Sequence, residues 1–388
     1  MQILSTRRLW PVLAASSLFA GCASDTGPTA LDANPDSDQP TQDVLAAWLS
    51  IDLAEPPSYA AVAYPAHYDA QTLGRDNTPA TNPVTDAGAS LGRVLFHDTD
   101  LSLNRTTSCA SCHVQAQGFS DPDQFSTGFE GGLTGAHSMR LANATFYEGD
   151  DMFWDRRATD LEDQVLQPVV DGTEMGFTDV AGGISALILR LEATPYYPIL
   201  FEWAYGTDDV TEARLRAALA QYVRSIVSVG SRFDDAAAAA PNLGAPFASF
   251  SAEENLGKTL FLRPPDQGGA GCAGCHVPPT FALEGASRSN GLDLGETILF
   301  KAPSLKNVAV GAPFMHDGRF ETLEAVIDHY DSGVRQGPAL DRRLEASPGV
   351  PAVLGLSLAE KAALVAFLRT LTDTALLTDE RFTDPFRN

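Results

Sequence analysis

Two short stretches hold the residues best able to do chemistry. Cys109-Ala110-Ser111-Cys112-His113 recurs downstream as Cys272-Ala273-Gly274-Cys275-His276. Cys-x-x-Cys-His is the covalent attachment signature of c-type haem. Two thiols three positions apart form thioethers with the two vinyl groups, and the adjacent His offers a ring nitrogen to the iron. A redox dithiol, or zinc held by four thiolates, would explain the Cys pairs but not a His directly after both. The pattern implies two covalently bound haem c groups. Cys109, Cys112, Cys272 and Cys275 attach them, and His113 and His276 are their axial ligands.

Two haems alone make an electron carrier, with both axial positions of each iron filled. An enzyme leaves one iron face open and sets an acid–base group above it. The residues that decide between these lie outside the two motifs.

The elements that must position the motifs are bounded first by composition. At 388 residues the chain favours two domains over one core. Hydrophobic residues make up 44%, enough for a folded body. A formal net charge of -24 argues against nucleic-acid binding, which needs a basic face, and attracts basic partners at long range. Four of the five cysteines belong to the haem motifs, so no disulfide is available. The fifth, Cys22, closes an export signal over residues 1–22. Arg7 and Arg8 are followed by a short apolar run, Leu9 to Phe19, and then by Ala20-Gly21-Cys22-Ala23. That run is too short to span a membrane. Leu18-Phe19-Ala20-Gly21-Cys22 resembles a bacterial lipoprotein box, which makes Cys22 a candidate lipidation site and tethers the chain to a membrane. Ordinary signal cleavage is the alternative. Either route leads to the periplasm, where haem c is attached.

Residues 23–45, rich in Asp, Pro, Thr, Ser and Ala, read as a flexible tether. Residues 46–230 and 231–388 read as an N-terminal and a C-terminal haem domain. The fold class is mainly α, with two cytochrome c-like haem domains and long loops. A helix is expected from about Thr85 to His97 and a helical stretch from Ala158 to Val169. Asp209 with Glu212, Ser251 with Glu254 and Ser357 with Glu360 have capping-box spacing. Residues 231–250, with five consecutive alanines, read as the interdomain connection. Leu91-Gly92-Arg93-Val94-Leu95-Phe96 is echoed by Leu256-Gly257-Lys258-Thr259-Leu260-Phe261, each ahead of a haem motif, so one unit is repeated. The last helix, from Ser357, is free to pack back on the first domain. His67 reads as a surface residue and His97 as packed at its helix end.

From about residue 85 to 372 the chain resembles the bacterial dihaem cytochrome c peroxidases and the related MauG-type enzymes. The resemblance rests on Phe153-Trp154-Asp155-Arg156, Leu161-Glu162-Asp163-Gln164, Glu174-Met175-Gly176, Lys301-Ala302-Pro303-Ser304-Leu305, Pro313-Phe314-Met315-His316-Asp317-Gly318 and Thr322-Leu323-Glu324-Ala325-Val326. Trp154, Gln164 and Glu174 stand at intervals of ten, as the family's interhaem Trp, distal Gln and distal Glu do.

The resemblance implies that the haem on His113 meets peroxide. Glu174 would carry a proton between the peroxide oxygens, with a pKa raised by its apolar surroundings. Gln164 would orient peroxide or water, and Trp154 would relay electrons between the haems. The haem on His276 would receive electrons. Its sixth ligand departs from the peroxidase pattern, which has Met fourteen residues after the His of His-Asp-Gly. Counting fourteen from His316 reaches Tyr330, as in MauG-type enzymes. Phenolate lowers an iron potential where Met raises it. His329 and Met315 are rival ligands, and a packed Tyr330 is the plain reading. His316 would brace the loop over this haem. One calcium ion is implied between the halves, held by an Asn side chain and the carbonyls of Gly311 and Pro313. His137 stands at the Asn position and is a poor calcium ligand; it is alternatively a distal ligand of the first haem.

The leading reading is a cytochrome c peroxidase that reduces hydrogen peroxide to water with electrons from a small cytochrome c or cupredoxin. The alternatives are a MauG-like enzyme oxidising residues of a partner protein, and a non-enzymatic dihaem carrier. A homodimer is left open.

Overall fold

The computed structural model describes residues 42–147, 152–286 and 288–387. The export signal, Cys22 and all but the end of the expected tether lie outside them. That end is structured: residues 42–46 are helical and Leu45 is fully buried, so the body starts earlier than composition implied. No helix among the described residues is long and apolar enough to cross a membrane.

Among the described residues, eight helices of six or more residues carry the mainly α fold: α1 (Asp86–His97), α2 (Gly183–Glu192), α3 (Tyr197–Tyr205), α4 (Glu212–Ser225), α5 (Arg232–Ala239), α6 (Ala252–Leu262), α7 (Leu323–Asp328) and α8 (Leu358–Arg369). Among the described residues, strand is confined to two small antiparallel pairs, β1 (His276–Val277) with β2 (Ala282–Leu283), and β3 (Glu345–Ser347) with β4 (Val350–Pro351).

The sequence repeat has a packing cause. In α1, Gly92 faces the carbonyl of Ala218 and the side chain of Tyr222 on α4; a Cβ there would collide with both. In α6, Gly257 faces the carbonyl of Ala363 and Phe367 on α8 in the same way. Each glycine lets one helix backbone lie directly on another. Around these crossings two apolar clusters form. One holds Leu91, Leu95, Leu215, Leu219 and Tyr222; the other holds Leu260, Phe261, Leu364, Phe367 and Leu368.

The chain departs from the expected elements where local signals competed. α4 is capped by Thr211, whose side chain accepts from the Arg214 amide at 3.3 Å, and not by Asp209. The stretch 158–169 breaks into two single turns, Leu161–Gln164 and Gln167–Val170, with Pro168 in the second. The alanine-rich stretch is largely helical: Ser231 and Asp234 cap α5 reciprocally, and Phe233 buries its ring in the second cluster. The last helix, α8, gives its apolar face to α6. It is the chain beyond it that returns to the first cluster, through Leu376 and Phe382. The His67 side chain is turned inward and 7% exposed, with Nε2 3.2 Å from Asp234 Oδ1. Asp234 also receives the Lys306 ammonium at 2.5 Å, and that charge holds its carboxyl below the usual range against the upward push of burial. His97 packs as expected, 3.2 Å from the Phe382 carbonyl.

Candidate haem sites and the junction between them

The two attachment motifs sit on turns of one design. Cys109–Cys112 is a single helical turn opened by Ser108, whose backbone N–H donates to Ser111 Oγ at 3.0 Å. Cys272–Gly274 is a tighter turn entered through Gly271 at φ 73°. Each His is oriented by a carbonyl a few residues on. His113 Nδ1 lies 3.2 Å from the Phe119 carbonyl, and His276 Nδ1 lies 3.3 Å from that of Phe281. Both Phe residues are buried and adopt the left-handed backbone, at φ 62° and φ 54°. With Nδ1 engaged, Nε2 is the nitrogen left for an iron. Burial pulls both imidazoles down to about 4, which keeps them neutral as ligation requires. The same burial pushes the thiols of Cys109 and Cys272 up to about 12 and those of Cys112 and Cys275 up to about 11, so none is a ready thiolate. Among the described residues no three His, Cys, Asp or Glu side chains could share a metal ion, which removes the four-thiolate zinc reading. The residues fit two covalently held haems.

Beside the second turn lies a cavity of about 220 Å³. Cys272, Cys275, His276, Tyr330 and Met315 line it, against an apolar wall that includes Leu305, Val308 and Leu364. Tyr330 sits in a π-helical turn, His329–Gly333, that widens the end of α7. Burial pushes its phenol up to about 12. Asn290, which carried no signal in the sequence, spans the two candidate ligands: its Nδ2 lies 3.3 Å from Met315 Sδ and 3.4 Å from the Tyr330 hydroxyl. His329 is turned away, with Nε2 3.2 Å from the Asn290 carbonyl, and does not line the cavity. His316 is held by its ring, stacked on Phe300 with centroids 3.9 Å apart.

Glu174 lies within electrostatic range of the first turn. Its charge acts on both Cys109 and Cys112 and raises both thiols. Its own carboxyl is raised by burial first and by Asp171 second, against Arg157. The backbone carbonyl of Glu174 accepts from Phe129 at 3.0 Å. Gly176, at φ 85°, lies so close to the Phe129 ring that no side chain fits, and this pins the Glu174 loop. Gln164 ends the turn Leu161–Gln164. That turn is locked to α4 by Glu162, which takes both Arg224 Nη atoms at 2.5 and 2.7 Å. Arg224 holds the Glu162 carboxyl below its usual range, against burial.

Trp154 joins the sites. Its Nε1 donates to the His137 carbonyl at 2.6 Å, and its ring lies 6.4 Å from that of His316, on the cavity wall. Next to His137, Ser138 Oγ lies 3.1 Å from His113 Nδ1. A short bonded path thus runs from the first axial His to the second cavity. His137 itself is 4% exposed, with Nε2 3.1 Å from Ser120 Oγ and Nδ1 3.2 Å from the Asp123 and Gln124 carbonyls. The residues present do not fit a calcium ion. His137 replaces the Asn, and the Gly311 carbonyl is already taken by the guanidinium of Arg140.

Two haem-attachment turns, on a repeated helix pair, define a dihaem c-type cytochrome. A family model described as di-haem cytochrome c peroxidase matches residues 86–241 and 251–343. The chain belongs to this family, which includes the MauG proteins. It is 34% identical over 308 residues to methylamine utilization protein MauG of Methylorubrum extorquens, covering 76% of this chain and 80% of that one. It is 29% identical over 269 residues to cytochrome c551 peroxidase of Nitrosomonas europaea, covering 64% and 74%. Among solved structures, a MauG-like protein associated with microbial copper homeostasis matches with TM-score 0.67 and 29% identity, covering 85% of this chain and 98% of that one.

Proposed function

We propose that this protein is a periplasmic dihaem enzyme that uses hydrogen peroxide to oxidise a partner protein, as MauG-type enzymes do. Tyr330 carries the reading: it lines the second haem cavity beside Cys272, Cys275 and His276, at the position where the resemblance gives the family's peroxidases a Met. When bound, the haems accept the oxidising equivalents of peroxide and share them. Glu174, set against the first turn with its carboxyl raised, moves a proton from the near to the far peroxide oxygen, so that the far oxygen leaves as water. Gln164 orients the peroxide by hydrogen bonding. Trp154, bonded to the His137 carbonyl, is the oxidisable side chain between the two sites. Burial pushes the Tyr330 phenol up to about 12, Asn290 Nδ2 lies 3.4 Å from its oxygen, and that oxygen is the one that would be offered to the second haem iron. Cys22 lipidation and membrane tethering belong to this proposal and rest on residues 1–22.

A specific observation favours a second reading, reduction of peroxide to water with electrons from a small cytochrome c or cupredoxin. Met315 Sδ lines the same cavity, and as a ligand it would raise the potential and make the second haem a ready electron store. The net charge of -24 suits a basic donor. Purified protein carrying both haems separates the two when peroxide is added and the spectrum followed, with reduced cytochrome c added afterwards. A long-lived oxidised spectrum without turnover supports oxidation of a partner protein. Rapid multiple turnover of the cytochrome overturns that reading for the peroxidase. Indifference to peroxide would leave only an electron carrier.

A further inference from the structure

Arg140 is buried at the junction, 7% exposed, and no carboxylate pairs with it among the described residues. Its Nη2 donates to the Gly311 carbonyl, and its Nε has no hydrogen-bond partner. Gly311 has no room for a side chain because the guanidinium occupies the space a Cβ would enter. The backbone of Arg140 is fixed as well: its carbonyl accepts from the Tyr147 hydroxyl at 3.1 Å, and that hydroxyl accepts from the Ser304 amide at 3.2 Å. Arg140 lines the cavity that holds Cys272, Cys275 and His276, two residues from the serine bonded to His113. A buried guanidinium that keeps one donor unmatched is costly unless an anion arrives. The group that both attachment turns are built to receive brings carboxylates with it: each haem carries two propionates.

We propose that Arg140 is the fixed cation of the interhaem junction, pairing with a haem propionate, and that it replaces the calcium ion expected between the halves. The planar fork of Arg suits a carboxylate and the Gly311 carbonyl together. Burial pulls its pKa down to about 10, so it stays charged throughout the neutral range. The inference rests on the presence of two haems and not on which peroxide chemistry they serve.

The test is a spectroelectrochemical titration of the haem-loaded full chain, without peroxide, beside calcium titration by calorimetry. Arg140→Gln should lower the midpoint potential of the haem whose propionate loses its cation, and Arg140→Lys should retain most of the wild-type value. Which haem shifts tells which propionate is paired. The wild-type protein should show no stoichiometric calcium binding, and its haem spectra should ignore a chelator. Calcium binding at one equivalent, or potentials unchanged in a folded Arg140→Gln protein, would overturn the proposal. If Arg140→Gln does not fold, the calorimetry on wild type and the Arg140→Lys potentials still decide. A haem count of fewer than two per chain would sink the dihaem reading instead, so the two failures are distinguishable.

Discussion

The helix pair α1 and α4 and the helix pair α6 and α8 solve one packing problem with one device, a glycine laid on a carbonyl. Around each pair the proximal side repeats: a Cys-x-x-Cys turn, an axial His held through Nδ1, and a buried Phe in left-handed backbone supplying the carbonyl. The other side does not repeat. Against the first turn stands Glu174, a carboxylate with a raised pKa. Beside the second stand Tyr330 and Met315, joined by Asn290. The shared scaffold supplies the Cys and His residues that would hold each haem, and the segments between the shared elements make the two surroundings differ.

Four experiments test that contrast. The largest effect is expected from Glu174→Gln. Losing the proton shuttle should slow peroxide consumption by about 10²–10⁴-fold while the resting spectrum stays that of the parent. A rate within a few-fold of wild type would leave the first site without its distinguishing residue. Tyr330→Met should raise the potential of the second haem, by on the order of 100 mV within the ~0.8 V that axial ligands span. An unmoved potential would remove Tyr330 as a ligand. Gly92→Ala and Gly257→Ala test the shared part: each should cost about 1–3 kcal/mol of stability by forcing a helix off its partner, read by thermal denaturation. A cost at one glycine only would show that the two crossings are not equivalent. The smallest effect is a pH dependence. Because the folded state holds the Glu174 proton more tightly than the unfolded chain does, stability is lost as pH rises from the ordinary carboxylate range through the raised value. Glu174→Gln should flatten that part of the Tm–pH curve and leave the rest alone.

Much of the scaffold was readable from the residues because its signals are local. The helix at Asp86–His97 has an apolar face and a Thr cap, and Ser251 and Ser357 mark true capping boxes. Other elements hold more than their local signals showed. The connection expected over 231–250 opens in a helix, because Ser231 and Asp234 cap its alanines and Phe233 anchors it. What could not be read is the pairing of distant residues. Arg140 and Gly311 are 171 positions apart, His67 and Asp234 are 167, and neither partner carries a pattern that names the other. The candidate site residues came as a list through resemblance. The fold adds their neighbours: Glu162 locking the Gln164 turn, Asn290 between Met315 and Tyr330, Ser138 against His113, and the His137 carbonyl on Trp154.

The returning segment after α8 has a consequence for how the molecule is made. Gln115, just past the first attachment turn, donates to the carbonyls of Leu376 and Asp379, the latter 264 residues downstream. Phe382 packs on Phe119 and Tyr222, and Thr383 takes the Arg93 guanidinium through its carbonyl and hydroxyl. A chain threaded through an export pore from its N-terminal end presents Cys109 and Cys112 long before this cover arrives. The first pair of thiols is thus made well before the wall that covers it, and the second pair is made before α7 and α8, which wall its own cavity. Each attachment turn precedes in the chain the elements that bury it, the first by the longer interval.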